Sequence, residues 1–237
     1  MWGRSEIILI PDLPSPFTIC AGNLAIPRQY SGKVKLIGPI VEDNRHHLND
    51  HQSRIKHKLG FGSGKPLVYA AVSGPKIERE ILARILIDSL RGLSKQYQIV
   101  LSRGEPKGRR GARMLNGIRI YDWIEDQDDF IRASDLVVSR AGHGTIMKSL
   151  AYGKPMVLIP IPDHTEQYSN ARRASSLHVA EMIDQNRLNY ETLESAFQAI
   201  LETDQYRINA VQISKKAASL HAVAVACDLI SDLGRHP

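Results

Sequence analysis

The sequence predicts a doubly wound α/β fold, a Rossmann-like parallel sheet with helices on both faces. Three observations predict it: short runs that are apolar throughout rather than alternating, amphipathic stretches between them, and small-residue turns where a run gives way to a helix. A run covered by helices on both faces has no solvent side to mark with polar residues, which is why alternation is missing.

Residues 1–41 contain two extended runs, at 7–10 and around Lys35, set between Pro11, Pro14, Pro16 and Pro27. A proline lacks the amide hydrogen and clashes with the preceding turn, so no helix is expected there. Residues 42–65 form a polar, basic segment with Arg45, His46, His47, His51, Arg54, Lys56, His57 and Lys58, read as a surface helix or loop. Regular alternation follows: a strand at 67–72, a helix at 76–92 and a strand at 97–102. A basic, glycine-rich connection at 103–119 reads as a solvated, mobile loop or as a contact for anionic lipid or nucleic acid. A strand from Ile118, a short helix at 127–133, a strand at 136–139, a helix at 144–152 and a strand at 156–159 come next. Two helical stretches, 190–201 and 206–233, complete the chain; the second carries Ile208, Val211, Leu220, Val223, Cys227 and Ile230 on one stripe.

Composition narrows the chemistry. The 237 residues include 43% apolar ones, enough for a core, and 31 Lys+Arg against 25 Asp+Glu give a net charge of +6. That balance favours anionic partners without choosing among phosphates, nucleic acid and acidic membrane surfaces. Cys20 and Cys227 have neither metal-ligand nor redox spacing, which fits a reducing cytoplasm. No apolar run reaches the length of a membrane span, and the apolar N-terminal run is too short and proline-broken for a signal segment.

The most informative stretch is 135–171, DLVVSRAGHGTIMKSLAYGKPMVLIPIPDHTEQYSNA. An apolar strand stops at Ala141, Gly142 and Gly144, and a helix follows. The first amides of a helix have no intrahelical acceptor and carry the positive end of its dipole, so a turn of small residues lets an anion approach them. Thr145 can cap that helix and donate to an oxygen. In open parallel sheets, ligands bind outside the carboxyl ends of the strands. That rule selects Ser73-Gly74-Pro75, Asp122-Trp123-Ile124, residues 140–145 and residues 162–170. Ser73 and Gly74 offer donors to a phosphate or are a plain turn. Trp123 offers a base an apolar face, with the Ile124 backbone reading its edge, or is core. Gln167 and Asn170 lie three apart on one helix face and contact sugar hydroxyls or cap the helix. His143 donates to a phosphate or packs the loop. The Gly60–Lys65 run lacks the spacing of a P-loop, His47, His51 and His57 lack partners for a metal, and no serine sits in a nucleophile elbow.

The run Asp122-Trp123-Ile124, then ASDLVVSRAGHGTIMKSLAYGKPMVLIPIP, then EQYSNA, resembles the donor-binding domain of GT-B glycosyltransferases of family 28, the group of the bacterial lipid-intermediate N-acetylglucosaminyltransferases and related UDP-glycosyltransferases. The resemblance implies two facing Rossmann-like domains, of which this chain holds chiefly the second: 1–41 as linker and remnant of an acceptor domain, 42–65 as a basic surface segment, and 66–237 as the donor domain with its C-terminal helices. It implies a UDP-sugar such as UDP-N-acetylglucosamine as substrate, with no cofactor, metal or nucleic acid. Trp123 and Ile124 would flank the base, Arg140, Ala141, Gly142, His143, Gly144 and Thr145 would hold the diphosphate, and Gln167 and Asn170 the sugar. The catalytic base would lie in the other domain, supplied by a partner chain, and the protein would be cytoplasmic with a peripheral membrane contact. Two departures stand out. Lys148 replaces a glutamate that accepts the ribose hydroxyls, and an ammonium only donates. The front half is missing, so the chain is either a subunit or a remnant; the alternative is a nucleotide-sugar-binding regulatory subunit inactive alone.

Overall fold

A computed structural model describes residues 5–41 and 50–233. At its centre lies β3 (Leu67–Ala71), flanked by β4 (Gln98–Ser102) and β7 (Leu136–Ser139). Outside β4 come β6 (Ile118–Tyr121) and β5 (Ala112–Leu115); outside β7 come β8 (Met156–Leu158) and β9 (Ala180–Met182), giving the order β5-β6-β4-β3-β7-β8-β9. All pairings are parallel except that of β5 with β6. The chain winds outward from β3 through β4 and β6, then returns to pair β7 on the other edge of β3. The loops after β3 and β7 therefore leave the sheet in opposite directions and open a crevice between them.

Adjacent residues of the buried strands serve opposite faces. Tyr69, Val137 and Leu158 pack with Ile131 of α3 (Gln127–Ala133), Ile146 and Leu150 of α4 (His143–Ala151), Ala171 of α5 (Thr165–Ser176) and Ile213 of α7 (Asp204–Ser219). Val68, Val138 and Val157 face Leu82 and Leu86 of α2 (Lys76–Leu90) and Phe197 of α6 (Tyr190–Leu201). Each such large side chain, fully removed from water, contributes about 1.5–3 kcal/mol. The proline-rich segment joins the first face: its β1 (Ile8–Ile10) and β2 (Val34–Leu36) form a separate parallel pair, but Leu13 and Ile19 are fully buried in the main core.

Several expectations change. The connection at 103–119 is not a free loop, since β5 and β6 form a hairpin whose turn is Asn116-Gly117, with φ of 51° and 81°. Both central residues with positive φ define the turn type that matches strand twist and that Asn-Gly favours. The preceding stretch is fastened by Asp122, which accepts from Arg103 Nη1 and the Arg109 amide at 2.9 Å each. The helix expected at 206–233 is two: α7 and α8 (Ala222–Leu233), broken at His221, whose φ is 49°. The basic segment contains α1 (Asp50–Lys58), which buries Ile55 in the main core. Arg45, His46, His47 and the side chain of His51 lie outside the described residues. Among the described residues no helix is long and apolar enough to cross a membrane.

The hairpin turn is testable. A Cβ on Gly117 would stand 2.7 Å from Ser94 Oγ, which donates to the Asn116 carbonyl at 2.9 Å, and would meet a φ unfavourable to L-residues. Gly117→Ala is expected to destabilise the fold by about 1–2 kcal/mol in urea denaturation.

Candidate functional site

The crevice is walled by α4. β7 ends at Ser139, and after Arg140 and Ala141 the chain reaches Gly142, the N-cap of α4, with φ −70° and ψ 135° and no side-chain cap. The first helical bond runs from the Ile146 amide to the Gly142 carbonyl at 3.2 Å. The amides of His143, Gly144 and Thr145 precede it and have no carbonyl to reach within the helix. A Cβ built on Gly142 or Gly144 would meet nothing within 4 Å, so the space beside these two Cα atoms is open. Uncapped donors and a dipole's positive end beside small residues are what an anion site requires. Thr145 does not cap the helix, contrary to expectation: the N-cap position falls three residues earlier.

The polar side chains around this corner turn inward to brace it. Asn170, 0% exposed, donates to the Ala141 carbonyl at 3.2 Å and accepts from Asn23 Nδ2 at 3.4 Å. Gln167 Oε1 accepts from the Ile161 amide at 3.0 Å. In this structure the expected pair of sugar contacts holds the backbones after β7 and β8. Arg140 turns inward too: its guanidinium is 1% exposed and donates to the carbonyls of Ile159, Pro160 and Glu78 at 3.1–3.3 Å. Burial lowers its pKa to about 10 against the opposing charge of Glu78, so it stays cationic but faces the protein. What residue 140 leaves to a ligand is backbone.

His143 is held as well, its Nε2 standing 3.1 Å from Oδ2 of the fully buried Asp12. Asp12 also accepts from the amides of Leu13, Ile19 and Cys20 at 2.6–3.1 Å. Burial alone would raise its pKa, but the bonds from His143, Cys20 and Ile19 outweigh that and hold it at about 2. Burial and the Asp12 charge push the Cys20 thiol up to about 12. Asp12, Cys20 and His143 present their potential ligand atoms within 4.8 Å of one another. With a protonated thiol and an ionised carboxylate the trio is a close polar contact between the N-terminal segment and the first residue of α4.

One turn on, Lys148 Nζ lies 2.6 Å from Oδ1 of Asp128, whose Oδ2 accepts from Tyr152 at 2.8 Å. The ammonium that stands where the resemblance leads one to expect a carboxylate is thus neutralised by a carboxylate from α3. Ser73 and Gly74 are exposed at the end of β3, Gly74 with φ +108°. Trp123 is 38% exposed beyond β6, and Ile124 is buried. Asp12, Asn23 and Asp128 were not anticipated; only Asp12, between Pro11 and a proline-rich turn, had a local signal, since an Asp there accepts nearby amides.

The family model for the glycosyltransferase family 28 C-terminal domain matches residues 74–226, a stretch that includes the loops after β6, β7 and β8. The chain belongs to that family. An uncharacterized glycosyltransferase of Methanosarcina acetivorans is 26% identical over 221 residues, 92% of this chain and 54% of that protein. The UDP-N-acetylglucosamine--N-acetylmuramyl-(pentapeptide) pyrophosphoryl-undecaprenol N-acetylglucosamine transferase of Clostridium perfringens is 29% identical over 190 residues, 77% of this chain and 51% of that one. Among solved structures, the glycotransferase of kitacinnamycin superposes with a TM-score of 0.70 at 17% identity, over 96% of this chain and 54% of that chain. The calicheamicin glycosyltransferase CalG4 does so with 0.65 at 15%, over 88% and 51%. The fold is that of GT-B glycosyltransferases, and this family 28 chain spans about half the length of the relatives it matches.

The Asp12 contact has a pH signature. Because the folded pKa of Asp12 lies below its ordinary 3.8, its contribution is present above that value and is lost as the pH falls toward 2. Asp12→Asn is expected to cost about 2 kcal/mol at pH 7, with the gap to wild type closing between roughly pH 4 and pH 2 in urea titrations.

Proposed function

We propose that this chain is the nucleotide-sugar-binding half of an inverting glycosyltransferase, using a UDP-sugar such as UDP-N-acetylglucosamine and working with an acceptor domain carried on another chain or another part of a longer protein. The observation that carries this reading is the uncapped, open start of α4 at the reversal of strand order. Membership of family 28 supports the transferase class, and the name of the Clostridium perfringens relative supports the donor.

In this reading the amides of His143, Gly144 and Thr145 meet the diphosphate, whose charge grows as the anomeric bond breaks. Preorganised donors aimed at developing charge lower such a barrier without reorganising, and removing one commonly costs about 10²-fold or more in rate. The guanidinium of Arg140 adds charge nearby without touching the ligand. The exposed face of Trp123 and the Ile124 backbone receive the base. The acceptor hydroxyl is deprotonated by a base outside this half. A regulatory, non-catalytic role is favoured by one observation, the Lys148–Asp128 pair, which leaves the second turn of α4 without a free acceptor for the ribose.

Two substitutions test these readings. Gly142 has a φ and ψ open to any residue, and Asp is a good N-cap, so Gly142→Asp is expected to fold while setting a carboxylate before the amides. It should abolish the stabilisation by UDP, about 2.7 kcal/mol at 100 times Kd in the wild type, in thermal-shift measurements. Lys148→Glu alone would set two carboxylates against each other, so the informative variant is Lys148→Glu with Asp128→Asn. Calorimetry is expected to show tighter UDP binding by that double variant; unchanged affinity would place the ribose elsewhere.

A further inference from the structure

A cavity of about 380 Å³ opens at the other end of the sheet, where β3, β7 and β8 begin, lined among others by Lys56, Lys65, Asp135, Lys154, Asp204 and Arg207. Strands of this length, rising about 3.3 Å per residue, set it on the order of 15 Å from the start of α4. It is a separate place on the molecule.

Lys154 is the notable group in it. The residue is 7% exposed, and its amide bonds the Ser149 carbonyl at 2.8 Å. Its ammonium has no hydrogen-bond or ion-pair partner among the described residues. The neighbouring acids are committed. Asp135 Oδ1 accepts from Gln52 at 2.8 Å, and its Oδ2 from the Leu67 amide at 2.7 Å and from Lys56 at 3.1 Å. Asp204 pairs with Arg207 at 3.0 Å on the exposed rim, and Lys65 donates to the Lys95 carbonyl. Lys56, Lys65, Lys154 and Arg207 thus stand against Asp135 and Asp204, and Lys154, the most buried of the four, makes no direct ion pair with either acid. Burial pushes the Lys154 pKa down to about 8, with Asp135 raising it and Lys56 lowering it, so the amine is still mostly cationic at neutral pH. A buried charge without a partner is costly, and an oxyanion entering the cavity supplies the missing acceptor. The volume lies at the small end of ligand pockets, suited to a phosphate monoester of few atoms.

We propose that this cavity is a second ligand site, distinct from the crevice at α4, for a small phosphate-bearing anion, with Lys154 as its buried anchor and Arg207 as its rim contact. The site requires no nucleotide and holds whether or not the crevice binds one.

The test is calorimetry of inorganic phosphate and glycerol 3-phosphate with the whole chain. Wild type and Gly142→Asp are expected to bind phosphate equally, whereas Lys154→Met weakens binding at least about tenfold, the loss of one charged hydrogen bond. Affinity should fall as the pH rises through about 8, where Lys154 loses its proton. Tighter glycerol 3-phosphate identifies a monoester as the ligand and equal affinity the free ion; either supports the site. Lys154→Met removes an unpaired buried charge and should be at least as stable as wild type at pH 7. Should it fail to fold, the exposed Arg207→Gln, expected to weaken binding more modestly, and the pH profile decide. Binding untouched by Lys154→Met or, in its place, by Arg207→Gln, binding abolished by Gly142→Asp, or no binding at roughly 10 mM phosphate would overturn the proposal.

Discussion

The site depends on the reversal of winding at β3. Because the chain leaves β3 toward β4 and returns to pair β7 on the other side, the loops after β3 and β7 part company, and α4 starts in the gap they leave. A helix start needs acceptors for its first amides. Here the cap is a glycine, and among the described residues no side chain caps the first turn. Everything nearby is arranged to keep the gap in shape rather than to fill it.

This division of labour turns several polar side chains near the crevice toward protein partners. Asn170 and Gln167 hold the two loop backbones, Arg140 ties β7 to the chain after β8 and to α2, and the Asp12–His143 contact joins the N-terminal segment to the first residue of α4. Backbone amides fixed in this way do not reorganise when charge develops in front of them, which is the condition for electrostatic stabilisation of a departing diphosphate. Each buried ion in the brace has partners, Asp12 in amides and Arg140 in carbonyls. Lys154, at the far end of the sheet, has no direct partner among the described residues, and that contrast singles it out.

The sheet and α4 were legible because burial on two faces leaves an apolar run and a helix start leaves small residues, both local signals. The Asn116-Gly117 hairpin was equally local but was masked by the basic composition around it. β9, three residues long with two only partly buried, offered no run to recognise. Side-chain direction was not legible at all: spacing places Gln167 and Asn170 on one face of α5 and Arg140 at the end of β7, but whether an amide or guanidinium points into a crevice or into a carbonyl depends on elements distant in sequence. The same holds for Asp12 with His143 and for Asp128 with Lys148, whose partners come from different elements.

The most direct measurement is the response of backbone amide resonances to UDP in an isotope-labelled sample of the chain. The account predicts that His143, Gly144 and Thr145 show the largest shifts, with Trp123 and Ile124 following. Saturable UDP binding that leaves the start of α4 unperturbed, or no binding, would contradict it.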